Sequence, residues 1–255
     1  MTKENSKGIV YLVGAGPGDL ELMTLKAKRL VENCDALLYD YLANEELLTW
    51  AREDCKKICV GKRKGFHSKP QEEIQALLVK LASEGKNIVR LKGGDPFIFG
   101  RGGEEAICLK RAGIKYEIVP AVTSALAAGA YAGIPLTHRN LSSSLTFISG
   151  HEAPGKDYVS VDWDAHAKIK GTLCLYMSMA HLDEILKKLI NGGLEATTPV
   201  AIVQWASTPK QRICTGTAET IFKIAQKEEV TNPAIVFIGE VASLSEELQW
   251  LETKN

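Results

Sequence analysis

The first half of the sequence alternates short apolar runs with segments of helical periodicity, and this alternation constrains the fold most. Each apolar run is followed by a glycine, a proline or a charged residue. Strands that are buried on both faces of a parallel sheet are continuous apolar runs rather than alternating ones. We therefore predict an α/β fold with a parallel sheet whose strands are residues 9–13, 36–39, 58–60, 88–91 and 116–119.

The helices between these strands carry start signals of their own. Residues 22–33 have helical periodicity, and Leu25, Ala27, Leu30 and Val31 form the predicted buried stripe. The pair Ser68 and Gln71 is typical of a capping box, with Pro70 in the first turn, and predicts a helix through Ala82.

The second half repeats the mixture of strands and helices after a small-residue helix over residues 123–132. We predict two α/β lobes, residues 1–132 and 133–255, joined near residues 132–142. The polar stretch over residues 152–167 predicts a long surface loop. The strands of the second lobe are predicted at residues 145–148, 173–176, 200–203, 211–215 and 235–238, and its helices at 182–190 and 218–227.

Ligands of open parallel sheets bind outside the carboxyl ends of the strands. This rule brings five chemically unusual segments to one edge: residues 14–19, Asp40, residues 61–64, residues 93–103 and residues 121–124. Asp40 follows a strand directly, and Lys62 follows the next strand after Gly61. An isolated acid of this kind is more often a helix cap, and a lysine in a basic run is more often simply solvated. Together they are consistent with an acid–base and anion-binding edge.

The stretch over residues 89–105 is the least typical of a packed core. It holds five glycines in seventeen residues, together with Phe97, Ile98 and Phe99. Glycine costs conformational entropy on folding, so this density predicts that another group approaches the backbone closely. The three apolar side chains would offer a wall for a flat ring such as adenine.

The glycines over residues 14–19 do not complete a dinucleotide-binding motif. The G-x-G-x-x-G pattern requires glycine at position 19, which is Asp19, and Pro17 lacks a backbone donor for a phosphate. An acid at this place would also repel a phosphate. A plain tight turn is the alternative interpretation of this segment on its own.

Composition narrows the class of protein further. The formal net charge is zero, which argues against a nucleic-acid-binding protein. No apolar run approaches the length of a membrane span, and the first residues lack the apolar core of a signal peptide. The six cysteines do not form a zinc-ligand pattern, so we expect no metal site, reduced thiols and a cytoplasmic location.

Residues 10–19 and 89–102 resemble the two signatures of the tetrapyrrole methylases. Supporting matches, which include residues 132–139 with His138 and Arg139, run as far as about residue 241. Within that family the chain is most similar to members that act on uroporphyrinogen III. The first signature is shared widely among related methylases, whereas the second, together with residues 133–139, is far more specific.

The resemblance implies two α/β lobes with S-adenosylmethionine in the cleft between them, and a homodimer. It also implies which residues bind the methyl donor. These residues are Pro17, Gly93, Gly94, Asp95, Ile98, Thr123, Ser124, Met177 and Ala206. Asp40 and Lys62 match positions implicated in acid–base chemistry. The family usually has glycine at the position of Ala121 and often at that of Ala206, where the added methyl groups would strain a backbone with positive φ.

The implied reaction adds methyl groups to C2 and C7 of uroporphyrinogen III and gives precorrin-2, a precursor of sirohaem and cobalamin. The substrate is a polycarboxylate, and the predicted cations for it are Arg63, Lys64, Arg101, His138 and Arg139, with help from Lys62. Three alternatives remain open: a sibling methylase acting on a later cobalamin intermediate, a noncatalytic binding module and an NAD-linked oxidoreductase.

Overall fold

The computed structural model describes residues 7–41, 43–61, 70–151 and 161–251. Two compact units contain the chain, Met1–Thr123 and Ser124–Asn255. The division falls ahead of the boundary expected after residue 132, so the small-residue helix belongs to the second unit. Whether these units are the functional lobes stays a prediction.

The first unit is built on a five-stranded sheet in the order β3-β2-β4-β1-β5, and every pairing is parallel. The predicted parallel sheet is therefore confirmed, although the third strand begins at Lys56 instead of residue 58. Its strands are β1 (Ile9–Gly14), β2 (Ala36–Tyr39), β3 (Lys56–Cys59), β4 (Ile88–Lys92) and β5 (Lys115–Val119).

Apolar clusters cover both faces of this sheet, as continuous apolar strands require. Ala27 and Val31 pack on the face of Leu37 and Val89, whereas Ile74, Leu78 and Leu109 pack on the face of Leu38 and Ile88. The helices of the unit are α1 (Leu25–Asn33), α2 (Gln71–Ser83) and α3 (Gly102–Arg111), with short 3₁₀ helices at Leu20–Leu22 and Glu45–Trp50.

The predicted start of the first helix is wrong. The α-helix begins at Leu25 because the hydroxyl of Thr24 accepts a hydrogen bond from the N–H of Ala27 at 3.1 Å. Leu25 is 88% exposed, although it was expected in the buried stripe. Successive helical residues turn by about 100°, so Leu25 lies on the face opposite Ala27.

The second helix also begins later than the predicted capping box of Ser68 and Gln71 indicates. Helix α2 starts at Gln71, and Pro70 occupies the N-cap position rather than the first turn. Ser68, the other half of the expected capping box, lies outside the described residues.

The second unit contains a mixed sheet in the order β6-β7-β10-β8-β9. Only the β6–β7 pairing is parallel among its described pairings, and the other three are antiparallel. Its strands are β6 (Leu145–Ser149), β7 (Thr172–Tyr176), β8 (Pro199–Gln204), β9 (Arg212–Thr217) and β10 (Ala234–Ile238). Its helices are α4 (Ser124–Tyr131), α5 (Trp163–Ala167), α6 (Leu182–Asn191), α7 (Ile221–Lys227) and α8 (Ser245–Leu248), with 3₁₀ helices at Met179–His181 and Glu240–Leu244.

The prediction of a loop over residues 152–167 is wrong for its last residues, which form helix α5. Asp162 caps this helix by accepting a hydrogen bond from the N–H of Ala165 at 3.0 Å. Ala167 is buried with Leu186 and Leu189 of α6, so packing stabilises a helix of only five residues. Residues 152–160 lie outside the described part of the chain. Among the described helices, none is long and apolar enough to cross a membrane.

Candidate active site

The loops after β1 and β4 join directly at the carboxyl edge of the first sheet. Gly16 and Gly94 exchange two backbone hydrogen bonds, of 3.3 Å and 2.8 Å between nitrogen and oxygen. Their φ angles are 75° and 63°, which glycine adopts without strain. A Cβ on Gly14 would lie 2.5 Å from the Cβ of Ala121 and 2.6 Å from the carbonyl oxygen of Gly94. The glycines of these loops therefore permit close contact between neighbouring strand ends.

Further along the stretch over residues 89–105, the group that approaches the glycines is the loop's own backbone. Cβ atoms on Gly100 and Gly102 would lie 2.8 Å and 2.5 Å from the carbonyl oxygen of Pro96. That carbonyl also accepts a hydrogen bond from the N–H of Gly102 at 3.0 Å. At these two glycines, the close approach expected from the sequence is explained within the loop. Phe97 and Phe99 are exposed beside it, and their role as a wall for a flat ring stays a prediction.

Asp95 connects the loop after β4 to the loop after β5. One carboxylate oxygen accepts from the N–H of Phe97 at 2.8 Å, and the other accepts from the N–H of Ala121 at 3.0 Å. Both oxygens therefore bind backbone groups of the first unit. Gly93 and Ile98, the neighbouring predicted donor contacts, are both half-buried.

Asp40 follows β2 and meets a side chain from the centre of the sheet. Leu38 of β2 pairs with Arg90 of β4, so Asp40, two residues further along, lies on the same face as Arg90. Nη2 of Arg90 donates to Oδ1 of Asp40 at 2.6 Å. The Asp40 side chain is 29% exposed, whereas that of Arg90 is 3% exposed. Asp40 is thus the solvent-facing member of an ion pair whose cation is buried.

The pair continues into the unit as a buried cluster of charges, which we call the β4 charge cluster: Asp40, Arg90, Lys92 and Glu105. Nε of Arg90 donates to Oε1 of Glu105 at 3.1 Å, and Nζ of Lys92 lies 3.2 Å from both Glu105 oxygens. Oε2 of Glu105 accepts no hydrogen bond, so its contact with Lys92 is purely an ion pair. With two cations and two anions, the cluster is formally neutral.

Burial and neighbouring charges act in opposite directions on the two cations. Burial disfavours the charge of Arg90, but the charges of Asp40 and Glu105 outweigh it and raise the pKa of Arg90. Burial and the positive charge of Arg90 lower the pKa of Lys92 despite the attraction of Glu105. No sequence motif predicts a role for Arg90, Lys92 or Glu105. The available signal was the occurrence of two cations in an otherwise apolar strand.

Two predicted residues of the first unit, Arg101 and Pro17, do not join this cluster. Lys62, Arg63 and Lys64 lie outside the described residues. Arg101 is half-exposed and forms two hydrogen bonds with Glu104, at 2.9 Å and 2.7 Å, which raise the pKa of Arg101. Pro17 is half-buried in the loop after β1.

Two predicted donor contacts of the second unit lie at strand ends with unusual backbone angles. Met177 follows β7 with φ of 52° and is exposed, and Ala206 lies between Trp205 and Ser207, with φ of 50° and 57°. Such angles are costly for residues other than glycine and are common at functional sites. Gln211 holds this turn, since its Oε1 accepts from the N–H of Ser207 at 2.8 Å and its Nε2 donates to the carbonyl of Tyr131 at 2.9 Å.

Ala121 and Ala206, where the resemblance leads us to expect glycine, do not have the strained backbone that we predicted. Neither Ala121 nor Ala206 has a positive φ. The left-handed angles occur instead on the neighbours of Ala206. The expectation of backbone strain at these two positions is therefore wrong.

The remaining predicted residues lie where α4 begins and in the turn before β6. Thr123 is buried, and Ser124 is the first residue of α4. His138 accepts a hydrogen bond at Nδ1 from the N–H of Asn140 at 3.3 Å, and Arg139 is exposed. No group of three or more potential metal ligands occurs within the described parts of the chain.

Comparison with known proteins identifies the class of fold and then the family. Residues 9–221 match the family model of the Tetrapyrrole (Corrin/Porphyrin) Methylases. The structure is also similar to that of uroporphyrin-III C-methyl transferase from Thermus thermophilus in complex with S-adenyl homocysteine. The TM-score is 0.81 and the identity 42%, over 93% of this chain and 100% of the other. The chain belongs to the tetrapyrrole methylase family, and its predicted fold class is confirmed.

Two further relatives show how much of the chain the sequence similarity covers. The chain is 45% identical over 247 residues to the uroporphyrinogen-III C-methyltransferase of Bacillus subtilis, which covers 97% of this chain and 96% of that protein. It is 49% identical to the siroheme synthase of Sodalis glossinidius, over 97% of this chain but only 52% of the synthase. The chain therefore corresponds to about half of the synthase.

Proposed function

We propose that this protein is a methyltransferase that transfers two methyl groups from S-adenosylmethionine to C2 and C7 of uroporphyrinogen III and forms precorrin-2. The observation that carries this proposal is the end-to-end match with the B. subtilis enzyme, at 45% identity over 97% of this chain and 96% of the other.

The residues of the loop after β1 fit a donor that lacks phosphate groups. Pro17 offers no N–H, and the carboxylate of Asp19 already accepts from the N–H of Glu21 at 2.9 Å in the following 3₁₀ helix. A phosphate at this place would meet a negative charge. A nucleoside with a sulfonium side chain would not have this conflict.

The residues of the loop after β4 fit the nucleoside part of the donor. Gly93 is half-buried and leaves its backbone accessible, and Ile98 adds a half-buried apolar side chain. Gly94 is buried and shapes the loop through its two backbone hydrogen bonds with Gly16. Asp95 would act by shaping this loop, because its two oxygens are bound to the N–H groups of Phe97 and Ala121. The proposed donor contacts are Pro17, Gly93, Gly94, Ile98 and Thr123 in the first unit, and Ser124, Met177 and Ala206 in the second.

The bound donor supplies an electrophilic methyl group on a positively charged sulfur. The tasks left to the protein are to align the ring carbon with this methyl group and to remove the proton that the methylated ring loses. Asp40 is our candidate for accepting this proton, because it is the partly exposed carboxylate of the β4 charge cluster and lies at the carboxyl edge of the sheet. Lys62 stays a second candidate for acid–base chemistry.

The carboxylates of the substrate require cations. Arg101 is exposed enough to exchange Glu104 for a substrate carboxylate, since exposed ion pairs contribute only about 0–1 kcal/mol. His138 and Arg139, together with Arg63 and Lys64, are the other proposed substrate contacts. We also propose that the protein is a cytoplasmic homodimer without nucleic-acid or membrane partners. Light scattering of the purified protein would test the oligomeric state.

The test of the function is an assay of the purified protein with uroporphyrinogen III and S-adenosylmethionine under anaerobic conditions. Two equivalents of S-adenosylhomocysteine and the absorbance of precorrin-2 are expected, together with fluorescence of the oxidised product. Methylation only of a later cobalamin intermediate would contradict the proposal and favour a sibling methylase. Binding of S-adenosylhomocysteine without methyl transfer to either substrate would indicate a binding module.

A further inference from the structure

The β4 charge cluster lies where a parallel sheet normally has only apolar side chains. Strand β4 is the central strand of the first sheet, and all five of its residues are buried. Ile88, Val89 and Leu91 follow the apolar pattern, whereas Arg90 and Lys92 break it. Buried ion pairs are weak contributors to stability because desolvation offsets their attraction. The presence of this cluster is therefore better explained by what it holds in place.

The cluster has one open end, which is Asp40. The side chains of Arg90 and Lys92 are 3% exposed and that of Glu105 is 0% exposed, whereas that of Asp40 is 29% exposed. Gln71 of α2 closes the buried end by donating from Nε2 to Oε1 of Glu105 at 3.1 Å. A chain of contacts thus runs from helices α2 and α3 along one face of the sheet to its carboxyl edge.

The guanidinium of Arg90 is fixed from three directions. Nε donates to Oε1 of Glu105 at 3.1 Å, Nη1 to the carbonyl of Leu91 at 3.2 Å, and Nη2 to Oδ1 of Asp40 at 2.6 Å. The N–H of Asp40 also donates to the carbonyl of Leu91 at 3.3 Å. The planar fork of an arginine can hold these acceptors together, whereas the ammonium of a lysine cannot reproduce the fork.

We propose that Arg90 is a positioning residue for the methyl transfer: it binds Oδ1 of Asp40 and so orients the other carboxylate oxygen, Oδ2, to accept the proton that the methylated ring loses. In this step a proton passes from the ring to Oδ2, and its bonding electron pair stays on the ring. Glu105 acts one contact further away by holding Nε of Arg90. This inference rests on the proposed function, and it adds a role for two residues that do not touch the substrate.

Charged groups on β4, on α3 and directly after β2 contribute to this arrangement. Lys92 on β4 balances the charge of Glu105 on α3, and Asp40 after β2 balances Arg90. Replacing Arg90 by lysine keeps the net charge but loses the bridge to both carboxylates. Replacing Glu105 by glutamine keeps an oxygen acceptor for Nε of Arg90 and removes one charge. The second change is therefore the milder one.

The test is a double-mutant cycle in the full-length protein with Arg90→Lys, Asp40→Asn and the combined variant. Arg90→Lys should lower kcat about tenfold or more while the Kd for S-adenosylhomocysteine stays within about twofold of wild type. The combined variant should be no slower than Asp40→Asn alone, because Arg90 acts through Asp40. Glu105→Gln should lower kcat less than Arg90→Lys, and Arg111→Lys, on an exposed arginine of α3, is the matched control.

The separation of turnover from binding gives an independent readout. A merely structural role of Arg90 would weaken the binding of S-adenosylhomocysteine together with kcat, whereas a positioning role lowers kcat alone. Additive losses in the cycle, or kcat within about twofold of wild type in both Arg90→Lys and Glu105→Gln, would overturn the positioning role alone. A wild-type protein that does not methylate uroporphyrinogen III would instead overturn the proposed function, and the positioning role with it.

Discussion

Asp95 binds Ala121 across two strand ends: a carboxylate oxygen of Asp95 accepts a hydrogen bond from the N–H of Ala121 at 3.0 Å. The other oxygen accepts from the N–H of Phe97 at 2.8 Å. An ionised acceptor makes both bonds stronger than neutral ones. Asp95 is therefore a structural part of the site before any ligand is considered.

We expect replacement of Asp95 to lower stability without any ligand present. Asp95→Ala removes both acceptors and should lower the free energy of unfolding by about 2–4 kcal/mol, whereas Asp95→Asn keeps one oxygen and should cost about 1–2 kcal/mol. Urea denaturation of the free protein measures both values. Asp183→Asn, which removes one partner of an exposed ion pair with Lys187, is the control and should change stability by less than about 1 kcal/mol. Equal stability of Asp95→Ala and wild type would contradict this role.

Gly14 and Ala121 should show energetic coupling. A Cβ on Gly14 would lie 2.5 Å from the Cβ of Ala121, so Gly14→Ala should lower the free energy of unfolding by about 1–3 kcal/mol. Adding Ala121→Gly should recover part of this loss, but not all of it, because the carbonyl oxygen of Gly94 would still lie 2.6 Å away. Urea denaturation of the two single variants and the double variant measures the coupling. Purely additive effects would show that the two side chains do not compete for this space.

The sequence predicts the first sheet well because its signal is local. Continuous apolar runs such as Ala36, Leu37 and Leu38 of β2 are buried on both faces, and their alternation with helices requires parallel pairing. The start of α1 was missed because the cap at Thr24 competes with an apolar pattern that extends further back. The ends of elements depend on such single hydrogen bonds, which a periodic pattern does not reveal.

The β4 charge cluster depends on strand register, which is not a local property. Arg90 meets Asp40 only because Leu38 pairs with Arg90 in the sheet, and it meets Glu105 only because α3 packs on the same face. These partners are separated by 50 and 15 positions in the chain. The sequence identified Asp40 from its place after a strand, but the buried residues that hold it require the three-dimensional arrangement.

Asp40→Asn should lower turnover and leave cofactor binding intact. The amide keeps an oxygen that can accept from Arg90, so the local geometry should persist, but the amide is a far weaker base. Loss of a general base typically reduces the rate by about 10²–10⁴-fold. Single-turnover kinetics would measure the chemical step, and calorimetry with S-adenosylhomocysteine would measure binding. Near-normal turnover would exclude Asp40 as the proton acceptor.

The buried thiols should react far more slowly than the partly exposed ones. Burial, with the nearby thiol of Cys55, raises the pKa of Cys34 to about 12, and burial raises the pKa of Cys214 to about 11. At pH 8 a thiol with a pKa near 12 is ionised in roughly one molecule in ten thousand, against roughly a quarter for an ordinary cysteine. Cys59 and Cys108 are partly exposed.

Mass spectrometry after brief alkylation at pH 8 would therefore find label at Cys59 and Cys108 first. Alkylation in denaturant is the control, because all six cysteines should then react at similar rates. Labelling of Cys34 in the folded protein as fast as that of Cys59 would contradict the burial of Cys34.

Lys92 should make stability depend on pH in a direction that follows from its lowered pKa. Its pKa in the folded protein lies below the ordinary value of 10.5, chiefly because of burial and then because of Arg90. Between these two values the unfolded chain binds more protons than the folded one, so this residue favours the folded state increasingly as pH rises. The free energy of unfolding of wild type relative to Lys92→Met should therefore increase as pH rises towards 10.5. Urea denaturation at several pH values would measure this difference, with Lys110→Met, an exposed lysine of α3, setting the background trend. If this difference in the free energy of unfolding does not change with pH, or decreases as pH rises, the pKa of Lys92 is not lowered in the folded protein.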